Sequence, residues 1–153
     1  MAQQLPGVIA AIDHGNVRLG VALSDPERTM ALPHATYERR SQADDAHWFR
    51  KLASEYRVAL FVVGLPVHLD GRESQQSRAA RQFGQWLTKE VGLPVVYFDE
   101  RFTTAEAEAA LEPRALTARQ RKARRDMLAA QILLRDFLAA GCQGQEMPGA
   151  LDD

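Results

Sequence analysis

Apolar and polar positions along the first half of the chain follow the pattern of short β-strands. The run 8–13 is almost wholly apolar and ends in a carboxylate, and the run 18–24 is rich in valine and leucine. Between them, His14-Gly15-Asn16 is typical of a hairpin turn, and a weaker strand is predicted over 31–37. These segments predict neighbouring strands that run in opposite directions.

From residue 41 onward the pattern alternates between helix and strand. Ser41 or Asp44 opens a predicted helix with Trp48, Phe49, Leu52 and Tyr56 on one side. Apolar runs at 58–63 and 95–99 predict buried strands, and the Gly- and Pro-containing segment 64–71 predicts a loop. Three capping patterns mark later helices: Asp70-x-x-Glu73 for one reaching about 91, Thr103-x-x-Glu106 for one reaching about 112, and Thr117-x-x-Gln120 for the last, ending near 141.

This order of elements predicts the α/β class, with a central mixed five-stranded sheet flanked by helices. The length of 153 residues favours one domain, which we assign to 1–141, with a disordered tail over 142–153. The single cysteine, Cys142, excludes an intramolecular disulfide framework and a cysteine zinc cluster. No signal peptide or bilayer-length apolar run is present, so we expect a cytoplasmic protein without a membrane partner.

Carboxylates occur at three places where an apolar element has no use for a charge. Asp13 ends the first strand, the pair Asp99-Glu100 ends another, and Asp126 begins the buried stripe of the last helix. If the three converge, their repulsion is best compensated by a divalent cation, and oxygen ligands favour Mg²⁺ or Mn²⁺. One or two such ions would activate the hydrolysis of a phosphodiester. The alternative is a set of turn residues and local ion pairs, with Asp126 paired to Arg121 or Lys122.

A basic run precedes Asp126, within a chain whose net charge is only −1. Its members are Arg114, Arg119, Arg121, Lys122, Arg124 and Arg125, with no acidic residue among them. Beside a metal site, such a run would bind the phosphates of a nucleic acid, which makes nucleic acid the expected partner. The alternative is a solvated helix face.

Four segments, in order, resemble the motifs of the YqgF family, also called RuvX. The first motif of that family reads D-x-G-x-K-R-x-G-V-A, and the chain has DHGNVRLGVA from Asp13 to Ala22. The later segments are VVGLP with Asp70-Gly71, DERFTTxEA from Asp99, and DMLAAQILL from Asp126. Val17 replaces the usual basic residue, and His68 stands where the family often has Asn.

The resemblance implies an RNase H-like fold related to the RuvC resolvases. It also implies that Asp13, Glu100 and Asp126 are the catalytic, metal-binding residues. Arg18 and Arg101 lie within the matching motifs, and we expect them to bind substrate together with Arg121, Lys122, Arg124 and Arg125.

Two substrates are associated with this family: precursor 16S rRNA, trimmed near its 5′ end, and branched DNA of the Holliday type. The expected function is therefore a metal-dependent nuclease in rRNA processing, with a Holliday junction resolvase as the alternative. A resolvase would act as a homodimer, whereas RNA trimming needs one site. A non-catalytic nucleic-acid-binding module is a further alternative. An actin-like ATPase or sugar kinase is disfavoured because 153 residues cannot supply two such domains.

Overall fold

The computed structural model describes residues 6–66, 74–99 and 116–143. The strands and helices of these ranges are β1 (Val8–His14), β2 (Arg18–Ser24), β3 (Ala31–Glu38), α1 (Gln42–Tyr56), β4 (Val58–Leu65), α2 (Gln75–Val91), β5 (Val95–Asp99) and α3 (Ala118–Ala139). The helix predicted over 103–112 and most of the tail predicted over 142–153 lie outside the described residues.

The strands form one five-stranded sheet in the order β3-β2-β1-β4-β5. Strand β2 pairs antiparallel with β1 and β3, whereas β4 lies parallel to both β1 and β5. This confirms the predicted mixed sheet. Because β1, β4 and β5 are parallel, their carboxyl ends lie at one edge of the sheet, and the antiparallel β2 begins at that same edge.

Helices cover both faces of the sheet, which explains why its central strands are apolar throughout. Alternate residues of β1 face opposite ways: Ala10 and Ile12 belong to the core beneath α1 and α2, and Ile9 and Ala11 to the core beneath α3. Phe49 and Phe83 are buried in the first core, and Phe137 is buried in the second. The edge at which the parallel strands end therefore belongs to a sheet with a hydrophobic core on each face.

The helix starts confirm two of the predicted capping residues and correct a third. The Ser41 hydroxyl accepts a hydrogen bond from the Asp44 amide at 3.1 Å, and Thr117 and Gln120 form a complete capping box. The prediction of a cap at Asp70 and Glu73 is wrong, because α2 begins at Gln75 with Ser74 as its N-cap. A serine side chain performs the same task, so the local pattern does not distinguish the two starts.

Two boundaries also differ from the sequence prediction. Strand β4 continues through Gly64 and Leu65, where the sequence predicts a loop, because they pair with Phe98 and Asp99 of β5. Tyr56 is 42% exposed rather than part of the buried side of α1, since it lies at the end of the last turn. No helix in the described ranges is long and apolar enough to cross a membrane.

Candidate active site

Asp13 lies near the carboxyl end of β1, on the face that α3 covers. Residues at i and i+2 of a strand share a face, so Asp13 points to the same side as Ile9 and Ala11, which is the side of α3. The residue is half-buried, and its antiparallel partner across the sheet is Gly20 of β2. Residues directly opposite each other in an antiparallel pair point to the same face. Because Gly20 has no side chain, it leaves room on this face beside Asp13.

Helix α3 packs closely against the sheet at Gly20. An ideal Cβ placed on Gly20 would overlap the main-chain carbonyl of Asp126, so any larger residue would displace the helix. The close approach brings the backbone of Asp126 against the β-strand pair that carries Asp13. Two of the sequence-predicted acids, far apart along the chain, therefore belong to one side of one sheet edge.

The carboxylate of Asp126 forms an ion pair with Arg18. The Nε of Arg18 donates to Oδ2 of Asp126 at 3.0 Å, and the two side chains are 25% and 26% exposed. Arg18 shares the face of Gly20 and Ala22 by strand alternation. The alternative of an ion pair between Asp126 and Arg121 or Lys122 of its own helix is thus replaced by a pair that crosses from helix to sheet.

Asp99 belongs to the opposite face of the sheet. In β5, Val95 and Tyr97 pack into the core beneath α1 and α2, whereas Val96 and Phe98 pack toward α3. Alternation assigns Asp99 to the side of Val95 and Tyr97, away from Asp13. Glu100, Arg101 and Arg114 lie outside the described residues. Within the described ranges, no three His, Cys, Asp or Glu side chains form a metal-binding group.

The donor set that is described fits a hard divalent cation. Asp13 and Asp126 supply only carboxylate oxygens, which suit Mg²⁺ or Mn²⁺ better than zinc. Both are half-buried, and the guanidinium of Arg18 compensates part of the charge of Asp126. A cation bound here would share the Asp126 carboxylate with Arg18.

The basic residues in the first half of α3 differ in exposure and in what they contact. Lys122, Arg124 and Arg125 are exposed, and Lys122 lies one turn before Asp126 on nearly the same side of the helix. Arg121 is half-buried and donates from Nη1 to the Leu116 carbonyl at 2.6 Å, so it stabilises the start of the helix. In addition, the exposed Arg119 pairs with Glu38 of β3 at 3.4 Å.

Behind β1, on the side of α1 and α2, lies a polar cluster that the sequence analysis does not single out. Asp45 is buried, and it accepts hydrogen bonds from the Tyr37 hydroxyl at 2.7 Å, the Arg40 amide at 2.9 Å and Nε of Arg39 at 3.4 Å. Burial, followed by the positive charge of Arg39, lowers the pKa of His14 to about 4, so its ring is neutral at pH 7. The only signal in the sequence is that Asp45 falls in the first turn of a helix, where acids are common.

A solved RuvC structure resembles this fold. "T. thermophilus RuvC in complex with Holliday junction substrate" superposes with a TM-score of 0.56 and 17% identity, covering 92% of this chain and 99% of that one. The resemblance confirms the expected RNase H-like fold.

Sequence relatives cover most of the chain. A protein of Rhodopirellula baltica is 43% identical over 143 residues, covering 94% of this chain and 83% of the relative. Relatives from Anaeromyxobacter sp. (strain K) and Neisseria gonorrhoeae are 39% and 38% identical, covering 83% and 88% of this chain and 93% and 89% of their own lengths. All three carry the name "Putative pre-16S rRNA nuclease". The model of one family, described as "RuvX: Holliday junction resolvase", matches residues 7–140. The chain belongs to the RuvX family.

Proposed function

We propose that this protein is a divalent-metal-dependent nuclease that hydrolyses phosphodiester bonds near the 5′ end of precursor 16S rRNA. The observation that carries the proposal is the placement of Asp13 and Asp126 on one side of one sheet edge, through the contact of α3 with Gly20. The names of the sequence relatives support the RNA substrate. That substrate is processed in the cytoplasm, where we expect the protein to act.

Asp13, Glu100 and Asp126 are the proposed metal ligands, for one or two ions of Mg²⁺ or Mn²⁺. Glu100 is chosen over Asp99 because Asp99 belongs to the face of the sheet opposite Asp13. When bound, the ion supplies Lewis-acid polarisation of the phosphate and a water of lowered pKa. The carboxylates would hold it at the edge where β1 ends and β2 begins.

Basic side chains around this edge would hold the nucleic-acid backbone. Lys122, Arg124 and Arg125 are exposed near Asp126 and are the proposed phosphate contacts on α3. Arg18, which pairs with Asp126, is a proposed contact of the phosphate being cut. Arg101 remains a proposed substrate-binding residue, whereas for Arg121 we propose a role in holding the helix start, through Leu116.

The substrate assignment is tested by offering two nucleic acids to the same preparation. Precursor 16S rRNA with its 5′ extension and a four-way DNA junction are each incubated with Mg²⁺, with Mn²⁺, and with EDTA. We expect metal-dependent cleavage of the RNA and none in EDTA. Preferential cutting of the junction, by a homodimer in solution, would replace the RNA assignment with that of a Holliday junction resolvase. Binding without cleavage in either metal would instead support a non-catalytic module.

A further inference from the structure

A cavity of about 240 Å³ opens at the same edge of the sheet as Asp13, but on the opposite face. His14, the neighbour of Asp13 in β1, lines it, as does Asn16 in the turn to β2. Adjacent residues of a strand point to opposite faces, so the edge of β1 separates the cavity from the candidate active site by one residue. The cavity is smaller than the roughly 300 Å³ lower bound for drug-sized ligands and suits a single planar ring system.

Planar groups form its floor and walls. The buried ring of Phe83 contacts two other lining rings, with the His14 ring centroid at 5.1 Å and the Trp86 centroid at 5.7 Å. The guanidinium carbon of Arg39 lies 5.4 Å from the centroid of the Phe83 ring, and the Arg39 side chain forms an ion pair with the buried Asp45. Aromatic rings and guanidinium planes are the surfaces on which proteins stack unpaired bases.

Side-chain amides form the rim. Asn16, Gln42 and Gln82 all line the cavity and are exposed, and none of them makes a side-chain hydrogen bond to another part of the described chain. An amide offers both a donor and an acceptor, which matches the mixed edge of a nucleobase. None of the described residues that line the cavity is acidic, so none of them repels a nucleotide.

We propose that this cavity receives one unstacked nucleobase of the strand that is cut. The inference rests on the proposed nuclease function, because a strand whose phosphate lies at Asp13 passes the end of β1 and can turn a neighbouring base onto the other face. A paired base is stacked and cannot enter, so the cavity selects an unpaired nucleotide beside the cleavage site. The residues His14, Arg39 and Trp86 would hold the base plane, and the amides would contact its edge.

The test compares two probes of equal length and charge. One is a 12-nucleotide oligouridine RNA, and the other is the same backbone with all bases removed. Binding is measured by fluorescence anisotropy, with Asp13→Asn in every protein so that neither probe is cut. We expect the oligouridine to bind about tenfold more tightly than the baseless backbone, because a base stacked on an aromatic side chain adds to the affinity.

Ala79→Leu fills the cavity from α2 without removing a polar contact, and leucine is tolerated in a helix. We expect this variant to bind both probes equally. Gln76→Leu, which adds the same side chain at an exposed position of α2 outside the cavity, should keep the tenfold preference. Gln82→Ala, which leaves the cavity open, should reduce the preference in part. A preference that survives Ala79→Leu, or no preference in the parent protein, would overturn the proposal.

Uridine monophosphate distinguishes a base in a strand from a free nucleotide. If it binds in a way that Ala79→Leu abolishes while the two probes bind equally, the cavity is a nucleotide site and the proposal is wrong. The outcome is separable from that of the proposed function, which is measured as metal-dependent cleavage by the unsubstituted protein. Loss of the preference for oligouridine over the baseless backbone in Ala79→Leu can be measured even if the parent protein does not cleave RNA.

Discussion

Arg18 donates from Nε to Oδ2 of Asp126 at 3.0 Å, and this ion pair joins the start of β2 to the first half of α3. Asp126 is a proposed metal ligand, so the guanidinium and a bound metal ion would share the same carboxylate. Because both carry positive charge, Arg18 compensates Asp126 in the absence of an ion and would repel an ion bound there.

Arg18→Gln should therefore strengthen metal binding and weaken RNA binding. We expect the affinity for Mn²⁺, measured by calorimetry, to rise about fivefold, since a partly exposed ion pair contributes up to about 1 kcal/mol. The affinity for RNA should fall because glutamine carries no charge to attract a phosphate. The control is Arg50→Gln, which removes an ion pair with Glu90 away from this edge of the sheet. It should change neither the Mn²⁺ affinity nor the RNA affinity. Weaker Mn²⁺ binding in Arg18→Gln would contradict this role.

Gly20→Ala should disturb the site through packing alone. Its Cβ would overlap the Asp126 carbonyl, so α3 must shift away from the strand pair that carries Asp13. Overpacking of this kind costs roughly 1–3 kcal/mol, which urea denaturation would measure as a lower unfolding free energy. Cleavage should fall even at temperatures where the variant is fully folded, because Asp126 moves relative to Asp13. Unchanged stability together with full activity would show that the close approach of α3 to Gly20 is unimportant.

The acidic pair at the end of β5 can be separated by two conservative substitutions. Asp99 belongs to the face opposite Asp13, so Asp99→Asn should retain most of the cleavage activity. Glu100→Gln should reduce it at least a hundredfold and also weaken Mn²⁺ binding. A larger loss of both properties in Asp99→Asn would reverse the assignment. Each variant serves as the matched control for the other.

On α3, the exposed pair Lys122 and Arg125 is a better test of phosphate binding than Arg121, which is occupied by the Leu116 carbonyl. The double variant Lys122→Ala/Arg125→Ala should weaken RNA binding about tenfold at moderate salt, or about 1.4 kcal/mol. The slope of log affinity against log salt should become shallower by about one for each phosphate that the variant no longer neutralises.

Arg135→Ala, at an exposed position near the other end of the same helix, is the control and should bind as the parent does. An unchanged affinity and slope in the double variant would mean that the basic run is a solvated helix face. Cleavage at saturating RNA should survive better than binding, since the proposed metal ligands are untouched.

The fold is largely predictable because its signals are local. The apolar run of β1 and the Thr117 capping box are read from neighbouring residues, and both are present as predicted. The start of α2 is less predictable, since Ser74 and Asp70 are both competent caps. The extension of β4 to Leu65 depends on pairing with β5, which no local pattern encodes.

The site is predictable only as a set of acids. That Asp13 and Asp126 share a face depends on the register that places Gly20 opposite Asp13, and on the docking of α3 onto that glycine. The partner of Asp126 likewise cannot be inferred from the sequence, because Arg18 is distant along the chain while Arg121 and Lys122 are near. The cluster around Asp45 and the cavity beside His14 arise where several elements meet, and no single stretch of sequence marks them.

Asp13 and Asp126 together are proposed to hold the ion that cleavage requires. The most direct measurement is cleavage of 5′-extended precursor 16S rRNA across a Mn²⁺ titration, made in parallel with calorimetry of Mn²⁺ binding. Asp13→Asn and Asp126→Asn should each abolish cleavage and weaken Mn²⁺ binding while the far-ultraviolet circular dichroism stays unchanged. Asp136→Asn, an acid farther along α3 that pairs with Arg135, should match the parent protein in both assays. Full metal-dependent cleavage by folded Asp13→Asn or Asp126→Asn would contradict the account.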